Sequence, residues 1–368
     1  MSNNKKQLSK LYASSVLENI SLTGAWVAIL AARGYSLVEI GFAETVFHIV
    51  SLVFEIPSGV LADVFGRKNM LMVSNVMRMI GNIIMIVSCN FFMVCASMAF
   101  YAVSYNFASG SGDALAYDSL KLAGCEEDYE RYASNQMVIY RLCSGISTLC
   151  AGFALFIGHK LAYGADIIIG IIQIMILSSL FEVGEYQHDR SNGKSMVRSI
   201  GKELISCFIT SICFLKKAKK AFFLMFANSM VGAVDTLLLF FLQAKLPEAG
   251  ISNLALGAAL FVMQIGGILG AKIILRCKRM RYKSVFVIMA LLVLCGVFAE
   301  HSGLYLVMAA GGLIAAFGDD ALQVRTNTLL QEMFPSEQRA TLISVESFTF
   351  SMIMMVLSPL AGILFSHW

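Results

Sequence analysis

The chain has 368 residues, of which 58% are hydrophobic and only 14% charged, with a formal net charge of +4. A soluble globular chain is about half apolar and roughly a quarter charged, so this composition, with a mean hydropathy of +0.73, excludes a soluble domain. It predicts an all-α polytopic membrane protein, in which apolar stretches of about 20 residues cross a bilayer as helices.

In chain order the spans fall near residues 11–32, 37–62, 69–88, 91–121, 131–157, 163–182, 220–245, 252–275, 283–300, 303–331 and 339–365, eleven in all. The first ten residues are polar, with Lys5, Lys6 and Lys10 and no cleavable signal-peptide pattern, so the first span itself would direct insertion. A cytoplasmic N-terminus puts 22 lysines and arginines in the inner segments and leaves only Arg33, Lys160 and Lys245 opposite. That asymmetry predicts the N-terminus inside. The longest polar gap, Gly184–Lys220, carries eight of the basic residues. The expected organisation is a six-helix bundle over 1–183, a cytoplasmic linker over 184–219 and a five-helix bundle over 220–368. Within the linker, Ile200–Leu215 is apolar enough for an interfacial helix; a partly ordered linker is the alternative. The nine cysteines show no metal spacing, no C-x-x-C and no secreted disulfide pattern. No metal, cofactor or nucleic-acid partner is expected, and no Walker loop is present.

An ionisable group in the bilayer core is costly unless paired or wet, so each is a functional candidate. Span 1 carries Glu18. Span 2 carries Glu44, His48 and Glu55, at offsets of 4 and 11 residues, which bring them within about 40° on one helical face. They read either as a proton ladder, with His48 titrating near neutrality, or as groups satisfied by neighbouring helices. Span 3 carries Arg78. Asp113 in span 4 and Arg141 in span 5 share a depth, which predicts an ion pair, as a structural lock before a substrate contact. Asp118 would pair with Lys121 or with the cations of the turn after span 2. In the second half, Asp235 (span 7) has no basic neighbour at its depth, whereas Lys272 (span 8) can face Asp319 or Asp320 (span 10), and span 11 carries Glu346. Adjacent helical residues point about 100° apart, so at most one of Asp319 and Asp320 points fully inward.

The stretch Gly59–Lys68 reads GVLADVFGRK. Gly59 and Gly66 suit a tight turn. Asp63 can satisfy N–H groups at a helix end or meet a cation, and Arg67 and Lys68 hold the turn on the cytoplasmic side. The stretch resembles the G-x-L-A-D-x-x-G-R-K loop between helices 2 and 3 of the major facilitator superfamily. The halves also repeat at offsets near 210 residues: Gly112–Leu115 against Asp319–Leu322, Arg131–Ala133 against Arg339–Thr341, and Gly59…Lys68 against Gly270…Arg279. The first of these matches favours Asp320, the counterpart of Asp113. Parallel six-helix halves are what the resemblance implies. Four features depart from it. Ile274 stands where the first copy has Asp63, Asn106 replaces an arginine common in span 4, and Cys143–Gly152 lacks the proline of many antiporters. The family also leads one to expect a twelfth helix after span 11.

The resemblance implies a secondary transporter working by alternating access, not an enzyme, with a small molecule and protons as its partners in the lipid bilayer. Gly59, Asp63, Gly66, Arg67 and Lys68 would form a gate that stabilises one closed state. Glu55–Lys68 and Pro335–Thr341 resemble bacterial drug-efflux-like members, which implies efflux from the cell across the inner membrane by a monomer. Proton-coupled uptake symport, or a degenerate non-transporting membrane sensor or assembly partner, are the alternatives. Glu18, Glu44, His48, Asp235, Asp319 and Asp320 are the candidate substrate- and proton-binding groups. Acids in both halves favour cationic or neutral substrates over anions.

Overall fold

A bilayer offers backbone N–H and C=O groups no partner, so a chain this apolar folds into helices that satisfy them internally. The computed structural model describes residues 2–183, 219–277, 279–333 and 339–367, and every regular element there is helical. The expected linker, its interfacial helix and most of the Pro335–Thr341 motif fall outside the described residues. The first half runs through α1 (Ser2–Asn19), α2 (Trp26–Ala32), α3 (Leu37–Phe65), α4 (Arg67–Val87), α5 (Phe91–Ala108) and α6 (Ser111–Leu122). A short 3-10 turn (Glu126–Asp128) leads to α7 (Tyr129–Leu149), α8 (Ala151–Ile157) and α9 (His159–Ser178). The second half holds α10 (Lys219–Glu248), α11 (Asn253–Ile274), α12 (Tyr282–Glu300), α13 (Tyr305–Met333) and α14 (Arg339–His367).

Among the described residues nine helices are long and apolar enough to cross a membrane, or ten if the bent pair α7–α8 is one span. The sequence predicts one more because it reads residues 11–32 as a continuous span. The structure interrupts that span between Asn19 and Trp26, leaving α2 only seven residues long. Span 4 is broken too, at Gly110, whose φ of +74° a side chain would resist. Span 5 bends by 45° between α7 and α8. The bend has no proline; it coincides with Gly152, where the Asn253 carbonyl comes too close for any side chain.

Contacts sort the chain into two units. The first takes residues 2–24, 46–147 and 157–183; the second takes 25–45, 148–156 and the described residues from 219 onward. In the first, α4 lies against α5 and α9, and α1 against α9 and α6. Its core joins Leu11, Leu71, Leu115, Tyr132 and Leu177. In the second, α10, α11 and α12 all pack on α13. There α11 and α13 meet backbone to backbone, because Gly266 and Gly270, one turn apart, face the carbonyls of Leu313 and Phe317. Small residues let membrane helices approach in this way. Large apolar side chains stand exposed, among them Phe92 and Phe156 at 82% and Leu254 at 89%. Contiguous exposed apolar surface suits lipid, not water.

Candidate functional site

The spans read from the sequence leave about six residues, 63–68, to the turn after span 2; the structure needs one. Helix α3 runs on through Gly59 and Asp63 to Phe65, and α4 starts at Arg67. The reversal falls on Gly66 alone, at φ +91°, a conformation open to glycine. The first N–H groups of α4 are then received by Glu182. The Arg67 N–H donates to its Oε1 at 3.1 Å and the Lys68 N–H to its Oε2 at 3.0 Å. A carboxylate there satisfies two orphan donors and meets the positive end of the helix dipole. A Cβ on Gly66 would stand 2.6 Å from Glu182 Oε2.

The segment bearing Glu182 is itself tied to α1. Gln7 Nε2 donates to the Phe181 carbonyl at 2.8 Å, the Phe181 N–H donates to Gln7 Oε1 at 3.1 Å, and Lys10 Nζ donates to the Ser179 carbonyl at 2.7 Å. Lys68 Nζ reaches the Ser178 carbonyl at 2.8 Å. Arg67 pairs with Asp118 of α6, so of the two partners open to Asp118 the signature's cation is the one engaged. The side chain of Asp63, the acid of the expected gate, falls outside the described residues.

The first unit also holds a polar cluster at the break in span 1. Glu18 ends α1, and its carbonyl accepts from Arg78 Nη1 at 2.8 Å. Arg78 Nη2 donates to Asn75 Oδ1 at 3.1 Å and to Gln173. Ser147 Oγ donates to the Asn19 carbonyl at 3.3 Å and accepts from the Ser21 N–H at 2.9 Å. Asp166 of α9, which sequence reasoning did not single out, takes what remains. Its Oδ1 accepts from the Leu22 N–H at 2.8 Å, and its Oδ2 from the Thr23 N–H at 3.2 Å and from the Thr23 hydroxyl.

Glu44 and His48 lie one turn apart on α3 and both are buried, while Glu55 is half-buried further along the helix. Asn106, where the family often has arginine, donates to Ser51 Oγ at 3.0 Å and to the Ala102 carbonyl at 2.8 Å. Among the described residues no ion pair joins Asp113 to Arg141. Asp113 stands exposed in the first turn of α6 without Arg141 among the charges acting on it, and the Arg141 guanidinium lies 5.9 Å from the Tyr140 ring centroid. Equal depth along two spans does not fix which face of each helix a side chain takes.

In the second unit Asp235 of α10 is 5% exposed, and its Oδ1 has no hydrogen-bond partner among the described residues. The charges that act on it are the acids Asp319 and Asp320. A Cβ on Gly232, three residues before Asp235, would lie 3.2 Å from Asp319 Oδ1, so Asp319 lies against α10. Asp320 lies against Gly267 of α11. The adjacent acids thus lie against different helices, as the roughly 100° between successive helical residues requires. Ile274, in the position of Asp63, is buried in the core. Arg325, five residues after Asp320 as Asp118 is after Asp113, donates from Nη2 to the Met280 carbonyl at 3.3 Å. Equivalent positions therefore hold the turn after the second span of each half, with opposite charge.

Two helical units with ionisable groups inside their spans, and a charged turn fixed by carboxylates, define a multi-pass membrane protein with transporter architecture. The sequence matches the Major Facilitator Superfamily profile over residues 11–359, and the chain belongs to that family of membrane transporters. It is 34% identical over 64 residues to YxaM, an uncharacterized MFS-type transporter of Bacillus subtilis (strain 168), a match covering 17% of this chain and 16% of that protein. In fold it is similar to the nucleoside transporter NupG, with a TM-score of 0.74 at 13% identity over 98% of this chain and 96% of that one. A bacterial homologue of the human lysosomal transporter Spinster, inward-facing, gives 0.72 at 15% identity over 97% and 81%. A D-xylose–proton symporter gives 0.63 at 12% identity over 96% and 87%.

Proposed function

We propose that this transporter is coupled to protons and exports a small cationic or neutral amphipathic compound by alternating access. The observation that carries the reading is Asp235, buried, with an unpartnered oxygen and two further acids acting on it. Such a group is costly in the membrane unless it takes up a proton or a cation. Glu18, Glu44, His48, Asp319 and Asp320 complete the proposed substrate- and proton-binding set. Gly59, Asp63, Gly66, Arg67 and Lys68 form the proposed gate. Efflux is preferred because Glu55–Lys68 and Pro335–Thr341 resemble drug-efflux-like members; proton-coupled uptake is the second reading, supported by the fold-level likeness to a D-xylose–proton symporter. Calorimetric binding in detergent, with lipophilic cations and anions at pH about 5 to 8, where shifted carboxyls and histidine titrate, tests the reading. Cations are expected to bind more weakly as pH falls. Preference for anions, or cation affinity that ignores pH, would sink it.

The proposed setting is a monomer in a bacterial inner membrane, with eleven spans, the first interrupted, and divisions at 1–183, 184–219 and 220–368. The 22-to-3 split of basic residues supports a cytoplasmic N-terminus. In a protein cleared of reactive native cysteines, Ser302→Cys should react with an impermeant thiol reagent in intact cells and Lys10→Cys only after lysis. The reverse pattern would invert the topology.

A further inference from the structure

The interruption of the first span is an exchange of hydrogen-bond partners. In an unbroken helix the Leu22 N–H would bond the Glu18 carbonyl and the Thr23 N–H the Asn19 carbonyl, four residues back. Helical bonding continues as far as Ile20, whose N–H donates to the Val16 carbonyl at 3.0 Å. Beyond it both pairs are parted. The carbonyls of Glu18 and Asn19 are taken by Arg78 and Ser147, and the N–H groups of Leu22 and Thr23 by Asp166. Four helices of the first unit, α1, α4, α7 and α9, thus hold apart the two bonds that would close the helix.

We propose that Asp166 is a positioning residue, the proton-sensitive pin of the first span: as a carboxylate it holds the interruption open with Glu18 at its edge, and on taking a proton it releases residues 22–23. For its purpose in transport this rests on the proton-coupled reading above. All three partners of Asp166 are donors converging on two oxygens. A proton on Oδ1 would face the Leu22 N–H, and one on Oδ2 the Thr23 N–H. Neither amide can turn to accept; only the Thr23 hydroxyl can. The bonds that remain also lose their charge assistance, which makes such bonds roughly twice as strong as neutral ones. Buried amides released in this way recover partners most directly by closing onto the Glu18 and Asn19 carbonyls. The position of Glu18, one of the proposed proton-binding carboxyls, then follows the charge on Asp166. The titratable groups around the pin are Arg78 on α4, Glu18 on α1, Tyr101 on α5 and Tyr163 on α9, with Asp113 of α6 acting on Glu18.

The chain carries its own reporter. Trp26 begins α2, three residues beyond Thr23, and the other tryptophan is Trp368. In Trp368→Phe protein, the emission and acrylamide quenching of Trp26 are followed in detergent from pH about 3 to 9, a range that covers ordinary and raised carboxyl titration. The expected result is one titration in this parent. Asp166→Asn, of the same shape but never charged, should be flat with pH and hold the low-pH signal. Asp166→Glu should restore a titration with a displaced midpoint. A parent that is flat with pH, Asp166→Asn that titrates like the parent, or Asp166→Glu with the parent's midpoint would each overturn the pin. The last of these decides the matter even where Asp166→Asn fails to fold. If cation binding proves independent of pH while Trp26 still titrates through Asp166, the transport reading fails and the pin stands.

Discussion

Glu182→Ala is expected to destabilise the protein by about 2–4 kcal/mol, and Glu182→Gln by roughly half as much. Each bond from a backbone N–H to a charged acceptor contributes about 1.5–3 kcal/mol, discounted here because the site is only partly buried, and the carboxylate adds about 0.3–1 kcal/mol through the helix dipole. Glutamine keeps one acceptor and no charge. The same residue sets the cost of Gly66→Ala. A new Cβ must push Glu182 Oε2 off the N–H groups it serves, in addition to the strain of a side chain at φ +91°. In the Glu182→Ala background only the strain remains. The double variant should therefore lose less than the sum of the single losses, as expected for residues in contact. Thermal melting in detergent reads all four proteins. Additive losses, or an alanine variant that melts with the parent, would remove Glu182 from the turn.

The resemblance of Gly59–Lys68 to the family signature was legible because the turn is local: its glycines and cations lie within ten residues of one another. What holds the turn was not legible. Asp118 and Glu182 are 51 and 115 residues from Arg67, and Glu182 sits where an apolar run gives way to polar chain, a place at which an acid attracts no notice. Asp166 did leave a signal, a lone acid a few residues inside an apolar run, and Ser21-Leu22-Thr23-Gly24 left another in span 1. Neither means much until the two are seen to meet. The pair expected of Asp113 and Arg141 is not among the ion pairs of the described residues, and the reason is general: depth along a span does not say which face of the helix a side chain takes. Which helix Asp319 and Asp320 each approach was not legible either: it depends on Gly232 and Gly267, whose missing side chains leave the acids room.

Asp235→Asn is expected to abolish proton-driven accumulation of substrate while leaving exchange at equal concentrations on the two sides. Asparagine fills the same volume and keeps an acceptor oxygen, but it never changes charge, so a step that needs the carboxyl to load and unload a proton stops. Exchange needs only the conformational cycle with substrate bound. The electrostatics set the other expectations. Unit charges about 4 Å apart interact by about 4 kcal/mol at an effective dielectric constant near 20, so losing one of three acids should weaken a bound cation by at least about tenfold, or 1.4 kcal/mol. Stability should move the opposite way. The charges acting on Asp235 are the acids Asp319 and Asp320; neutralising it removes like-charge repulsion from a buried site and breaks no ion pair among the described residues, so the melting temperature should rise. A carboxylate held in a structural salt bridge would behave in reverse, because stranding its partner costs about 3–5 kcal/mol. Proteoliposomes carrying a lipophilic cation that binds the parent protein, with and without an imposed pH gradient, give the first measurement, and melting in detergent gives the second. A variant that still accumulates substrate against its gradient would take the coupling step away from Asp235. A variant that melts below the parent would mean that the acid is there to hold the fold.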